Sequence, residues 1–460
     1  MGGTTAGKGP VSSRWVTGFL ALGLLALGSV RAGDLKVLPP SARIEPGVVV
    51  AVYDLDALRA TALIHNPAIA AAKASLASAI AGQQGIENLH VPTILQPDLP
   101  FRRKQACFGV QAAEAGVRNA ELLVAFGVQY AYVSYLFAKE QERIAREAVE
   151  DKEGTQNLAY LSKRIREVTA KDAMVDTDLK ERDALFLEGV VSFARSRLSE
   201  AETGSRRALS ALREAVGVGC DVPLPLKHQR LLDAKRSLDL KQLTGLALAN
   251  RPDLLAASIN AQVSDLEVQA QASRKALNVR TFASGADLHA IPLPAGRYDQ
   301  EYRPGVIGPE MPPFLSGKKC DRVARATALA SRAGSVNDKA RALVILEIEQ
   351  AFLRYEEAAA KIAALTRSVA ELKVAMNGTK DKGKVKGIEG AANRLENTRF
   401  EVGSKAALDD LLKFGQVYSL VRVQLNESRY QLLIALITLE RATGAAFRAD
   451  LSSAPEITDE

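Results

Sequence analysis

The residue types that could ligate a metal, form a disulfide or act as a nucleophile are few in these 460 residues, and they are far apart. Three cysteines (Cys107, Cys220, Cys320) and four histidines (His65, His90, His228, His289) show no C-x-x-C, H-x-x-x-H or H-E-x-x-H spacing. Neither a metal site nor a disulfide framework is expected from them. An enzyme would need His, Cys or paired carboxylates gathered at one pocket, and no spacing here gathers them. The expectation is a protein that performs no catalysis and holds no cofactor or metal. His65 stands beside Pro67 and reads as a cap or surface residue. The other charged residues, 60 Lys+Arg against 53 Asp+Glu, leave a net +7 spread along the chain. That pattern describes solvated helix faces rather than a nucleic-acid surface.

The elements that carry these residues are expected to be helical. Hydrophobic residues make up 47% of the chain, enough for a large core, and aromatics only 5%. The bias toward Ala, Leu, Val, Glu, Gln, Lys and Arg is mostly one of good helix formers. Length alone suggests about three domains, but the chain repeats itself, so one architecture built twice is the better reading.

The repeat has five anchors. ALIHNPAIAAA (62–72) matches ALANRPDLLAA (247–257), with Pro67 on Pro252, an offset of 185. Each segment ends a short apolar helix and restarts a longer one with proline in its first turn, where a missing N–H costs nothing. LPFRRKQACFGVQAA (99–113) matches PPFLSGKKCDRVARA (312–326), with Cys107 on Cys320 at offset 213. Ala131 and Tyr135 match Ala351 and Tyr355 at offset 220, EVTAKDAMVD (167–176) matches EVGSKAALDD (401–410) at 234, and 212–217 matches 439–444 at 227. From the second anchor on, the offsets change by whole heptads, which helices packed at a 3.5-residue period accept without rotating their buried faces. Part of the extra length is NGTKDKGKVKGIEG (377–390), whose Gly and Lys content marks a loop.

Residues 1–32 read as an export signal: Lys8 and Arg14 precede an apolar stretch (15–30), and Val30-Arg31-Ala32 offers small residues at a cleavage site. An uncleaved anchor is the alternative. No later apolar run is read as long enough to span a bilayer, so a membrane crossing would require strands closed into a barrel. The expected organisation is then an N-terminal extension (33–56), a first repeat (57–217), a linker (218–240), a second repeat (241–447) and a tail (448–460).

The last helix carries two apolar stripes. One runs Leu411, Phe414, Tyr418, Val421, Leu425, Ser428, Leu432, Ala435, Leu439; the other runs Leu408, Leu412, Leu420, Val423, Tyr430, Ile434, Ile437. Two seams suit a helix flanked on both sides, as in a ring of helices, and equally a helix buried in an ordinary bundle or solenoid. Residues 278–312 of the second repeat, rich in Gly and Pro with rough alternation, are expected to hold two strands. The matching 86–101 is short, contains Pro92, Pro97 and Pro100, and allows one poor hairpin at most.

LALANRPDLLAA, the PFLSGK return into a helix, and the closing segment 400–444 with its V-G turn and L-x-R-A-T-G end are the pieces by which the chain resembles the outer-membrane efflux protein family, the TolC-like channels. The resemblance covers residues 55–447. It implies a mainly α fold: long antiparallel helical hairpins forming a periplasmic α-barrel, a short β-barrel segment, and two tandem structural repeats. It further implies a homotrimer in the outer membrane, with most of the chain in the periplasm. Such a trimer conducts passively from periplasm to exterior and works with a periplasmic adaptor (membrane-fusion) protein and, through it, an inner-membrane pump or type I secretion system.

By the same resemblance Val402, Gly403 and Ser404 form a hairpin tip that docks the adaptor, with Val168, Thr169 and Ala170 as the counterpart tip, which lacks the glycine. A plain helix-terminating glycine is the alternative for Gly403. Asp409 matches the family's tip aspartate, and Asp410 is matched by Asp176; in a trimer each would give a ring of three carboxylates able to attract cations and gate a lumen. Solvated surface aspartates are the alternative. The sequence departs from the family in its nearly absent first strand hairpin, its few girdle aromatics and the Lys-rich insertion. These departures keep a second function open, a periplasmic coiled-coil scaffold derived from such channels.

Overall fold

The structure, a computed structural model, describes residues 52–92, 94–149, 177–219, 222–274, 287–291, 306–310, 317–377 and 403–457. The helices are α1 (Leu55–His65), α2 (Pro67–Glu87), α3 (Leu99–Val149), α4 (Thr177–Val216), α5 (Leu240–Asn250), α6 (Pro252–Ser273), α7 (Lys319–Asn377) and α8 (Gly403–Ala442). Two strands, β1 (Asp287–Ile291) and β2 (Val306–Glu310), pair antiparallel with Asp287 opposite Glu310 and Ile291 opposite Val306. Both fall inside the Gly- and Pro-rich stretch of the second repeat. Pro309 lies within β2 without a donor to give, which a two-stranded pair tolerates at its open edge.

The short-helix, proline, longer-helix junction occurs twice. Asp54 caps α1 by accepting from Ala57 N at 2.8 Å, and Asp239 caps α5 by accepting from Lys241 N at 3.0 Å. These two aspartates are also 185 positions apart, a further repeat anchor. Pro67 and Pro252 each open the following helix. Asn66 caps α2 through Ala68 N at 2.9 Å and donates to Ala215 O at 3.1 Å, which fastens the junction to the end of α4. At the second junction Arg251 takes that place and pairs with Asp253 and Glu347 instead.

The long helices form a layer. In one half the neighbours run α4, α3, α8, α7; in the other they run α2, α3, α6, α7. Every polar contact between α3 and α8 follows an antiparallel register, from Glu147 with Arg422 to Gln129 with Glu440. The apolar core under this seam contains Val128, Tyr132, Leu136, Leu433, Leu436 and Ile437, all buried. This explains an apolar stretch that the sequence reading passed over. One window of α3 is long and apolar enough to cross a membrane, but half of it is buried against its neighbours, as in a core helix.

A belt crosses the layer where the chain's loose segments meet. Tyr53 bridges Leu226, and Leu232 bridges Glu456, so the start of the described chain, the segment after α4 and the C-terminal tail pair with one another. The Tyr355 hydroxyl accepts from Arg236 N at 2.6 Å and donates to Arg236 O at 2.5 Å, tying that belt to α7.

Both α4 and α8 end in a glycine of left-handed conformation that lies on the opposite end of its own repeat. Gly217 (φ 81°) sits on the His65–Asn66 backbone and Gly444 (φ 66°) on Asn250. A Cβ on Gly444 would fall 2.6 Å from the Asn250 carbonyl oxygen, whereas one on Gly217 would come no closer than 3.3 Å to Asn66. Gly217→Ala should therefore cost at least about 1–2 kcal/mol, the left-handed penalty plus a slight shift of the Asn66 backbone. Gly444→Ala should cost more, because the Asn250 backbone would have to move further. Thermal melts of the two variants followed by circular dichroism check the order; equal melting points would contradict it.

Candidate functional site

Val402, Val168, Thr169, Ala170 and Asp176 lie outside the described residues. Gly403 and Ser404 open α8, and Asp409 and Asp410 follow within its first turns, but their side chains are also outside what is described. The described backbone thus has Gly403 and Ser404 at the start of α8. What the structure does define is how the wall of the layer is held at its two ends and middle.

At one end a buried polar clasp joins both repeats. Arg102 of α3 donates to Glu267 of α6 through both terminal nitrogens, to Gln105 at 2.7 Å, and to Asp98 at 3.4 Å. Gln105 reaches back to Val263 O at 3.1 Å and Glu267 at 3.0 Å, and Gln271 donates to Glu267 at 2.6 Å. Arg322 of α7 donates to Gln271 at 2.9 Å and Gly317 O at 2.7 Å, while Arg274 stands 3.7 Å from Asp98. Asp98, Arg102, Gln271 and Arg322 are buried. Three guanidinium groups face two carboxylates, and Asp98 Oδ1 and Arg322 Nη2 find no protein partner. Such a cluster contributes less to stability than to fixing one arrangement, since each desolvated charge must be matched where it stands. It sets the register of α3, α6 and α7 at the end from which the strand pair emerges.

In the middle Glu440 is the corresponding hub: it accepts from Arg59 at 3.1 Å, Gln129 at 3.0 Å and Ala449 N at 3.0 Å, joining α1, α3, α8 and the tail. Arg251 and Arg441 both pair with Glu347 of α7, and Arg441 also lies over the Phe126 ring. Burial works against the Arg251 charge, yet its bonds to Asp253 and Glu347 outweigh this and raise its pKa above the ordinary value.

His228, which the sequence reading left without a role, is buried in the belt with Nδ1 2.8 Å from the Tyr132 hydroxyl of α3. Burial raises the Tyr132 pKa and lowers that of His228; Lys227 adds to the lowering, while Glu456 and Asp54 oppose it. His65 is exposed at the end of α1, and His90 contacts Asn88 O at 2.8 Å. Cys107 and Cys320 are exposed near the starts of α3 and α7. Among the described residues no group of three or more His, Cys, Asp or Glu is placed to hold a metal.

No family profile matches the sequence, and no curated protein does. The fold, however, is similar to several solved structures. One is the outer-membrane channel OprN, at 16% identity and TM-score 0.62, covering 85% of this chain and 90% of that one. Another is the open state of the Neisseria gonorrhoeae MtrE outer-membrane channel, at 15% identity and TM-score 0.62, with 86% and 90% covered. A third is the outer-membrane protein VceC of Vibrio cholerae, at 15% identity and TM-score 0.60, with 86% and 97% covered. The chain therefore has the fold of the TolC-like outer-membrane channels. That is a mainly α architecture of long antiparallel helical hairpins, built from two tandem structural repeats.

Two outcomes should separate buried from surface charge. Glu267→Ala leaves Arg102 without its main counter-charge and should cost roughly 3–5 kcal/mol. Arg197→Ala breaks a well-exposed pair with Glu200 and should cost about 0.5 kcal/mol or less. Chemical denaturation of the two variants gives the comparison, and similar losses would count against the clasp.

The belt should also be acid-sensitive. The unfolded chain holds a proton on His228 more readily than the folded one, so its contribution is complete above about pH 6.5 and is lost as pH falls below that value toward the depressed folded pKa. The Tm should drop over that window, and His228→Gln should flatten the drop. An unchanged slope in that variant would remove His228 from the effect.

Proposed function

We propose that the chain is the outer-membrane channel of a tripartite efflux pump or type I secretion system, a passive homotrimeric conduit from periplasm to exterior that performs no chemistry. The observation that carries this reading is a layer of helices with two unfinished edges. α2 and α4 border it on one side and α7 on the other. Leu185, Phe186 and Phe193 of α4, Ile80 of α2, and Ile345 and Leu353 of α7 are exposed on those bordering helices. Two different edges meeting head to tail generate a closed ring when the rotation closes, and three chains of this width would enclose a water-filled lumen. The 59 residues of α7 span about 90 Å at roughly 1.5 Å per residue, the length of a duct rather than of a bilayer. The likeness to OprN, MtrE and VceC over most of each chain supports the same reading.

In this reading residues 1–32 direct export and the outer membrane receives the strand-bearing end, while most of the chain stands in the periplasm. The tips at Val402–Ser404 and Val168–Ala170 meet a periplasmic adaptor and through it an inner-membrane pump. Asp176, Asp409 and Asp410 line the constriction near those tips. No nucleic acid is involved.

Extraction of the full chain from outer membranes in detergent should yield a trimer and, by electron microscopy, a hollow tube. In planar bilayers Asp409→Ala/Asp410→Ala should change conductance or its cation sensitivity. Gly403→Val should weaken cross-linking to the adaptor and lower export while leaving the trimer intact. Recovery as a soluble periplasmic monomer would instead favour a scaffold without a pore.

A further inference from the structure

The two repeats differ most where α2 passes into α3. Between α2 and α3, Leu95 N and Gln96 N both donate to Pro92 O, at 2.9 and 3.1 Å, and Leu99 N donates to Gln96 O at 3.1 Å. The base of this turn is fixed from both sides: Arg103 donates to Leu89 O at 3.1 Å, and the buried Asp98 pairs with Arg102 and Arg274. On this rigid support Ile94 is 93% exposed and Leu95 77% exposed, the two most exposed large apolar side chains among the described residues. The clasp places the turn beside the end of α6 and the start of α7, between which β1 and β2 arise. Lys104, Lys318 and Lys319 are exposed at the same end. Two carboxylates share this end, the exposed Asp321 beside Cys320 and Glu87, which accepts from Gln83 at 2.7 Å, and the buried Asp98 is paired with arginines.

We propose that this turn is a membrane-surface anchor: Ile94 and Leu95 enter the acyl boundary of the near leaflet, and the lysines meet lipid phosphates, without the chain crossing there. Prolines at 92 and 97 pre-form the turn, so little ordering entropy opposes insertion. An exposed apolar tip at an end that also carries exposed lysines is the pattern of an interfacial contact, where buried apolar area and attraction to anionic headgroups add. The proposal rests on the channel reading only for its orientation, with the strand-bearing end toward the outer membrane.

The test uses the full chain with its one tryptophan removed (Trp15→Phe) and Leu95→Trp as the reporter, reconstituted in phosphatidylcholine–phosphatidylglycerol vesicles. The expected result is a blue-shifted emission quenched more by lipids brominated near the headgroup than by lipids brominated near the chain end. Unquenched emission in vesicles that conduct ions would overturn the anchor while leaving the channel. Stronger quenching by the deep label would overturn it in favour of a spanning segment. Failure to enter vesicles or conduct at all would remove the channel reading and the anchor's orientation with it. As a second variant, Ile94→Asp/Leu95→Asp should keep the wild-type melting curve, since both side chains are largely free of contacts. It should weaken recovery with floated vesicles by roughly tenfold; recovery equal to wild type would count against the proposal.

Discussion

Helix α3 runs without a break for 51 residues and has a different partner on each side along its length: α2 and α6 near its start, α4 and α8 near its end. A helix so enclosed cannot slide or rotate for the sake of one neighbour without losing another. The register of the whole layer therefore depends on how α3 is pinned. Its centre is pinned by shape, through Val128, Tyr132 and Leu136 packed against Leu433 and Leu436. Its start is pinned by charge, through Arg102. The two means differ in specificity, because apolar packing at a 3.5-residue period tolerates heptad slips, whereas a guanidinium held by Glu267, Gln105 and Asp98 has one satisfactory position. The offsets between repeats did shift by heptads, and it is the polar clasp that tells those registers apart.

Local signals in the sequence led to the right elements. Proline at 67 and 252 does open a helix each time, and the anchor residues Ala131, Tyr135, Ala351 and Tyr355 are all buried. The first stripe of the last helix was read well from Leu425 onward, where Leu425, Ser428, Leu432, Ala435 and Leu439 are buried. The second was read less well: Leu420 is exposed, while Leu433 and Leu436, in neither stripe, are fully buried. A third buried face arises because α8 packs on α3 and α7 together with the tail, and no two-seam pattern anticipates that.

The long-range polar contacts were not legible. Arg102 with Glu267, Gln129 with Glu440 and Tyr132 with His228 join residues separated by 165, 311 and 96 positions. Each of these residues occurs on a helix or segment whose local pattern would suit a solvated charge equally well. Only the repeat could have supplied a signal, and it does so for Asp54 and Asp239, which keep the 185-residue offset of the prolines. It cannot do so for the clasp, because that joins the repeats to each other.

The asymmetry between the repeats bears on how such a molecule could meet a membrane. β1 and β2 have five described residues each, all within the second repeat. The connection between α2 and α3 adds none among its described residues, where the sequence allowed one poor hairpin at most. The clasp holds α3, α6 and α7 in one register at the end from which β1 and β2 arise, where apolar packing alone could slip by a heptad.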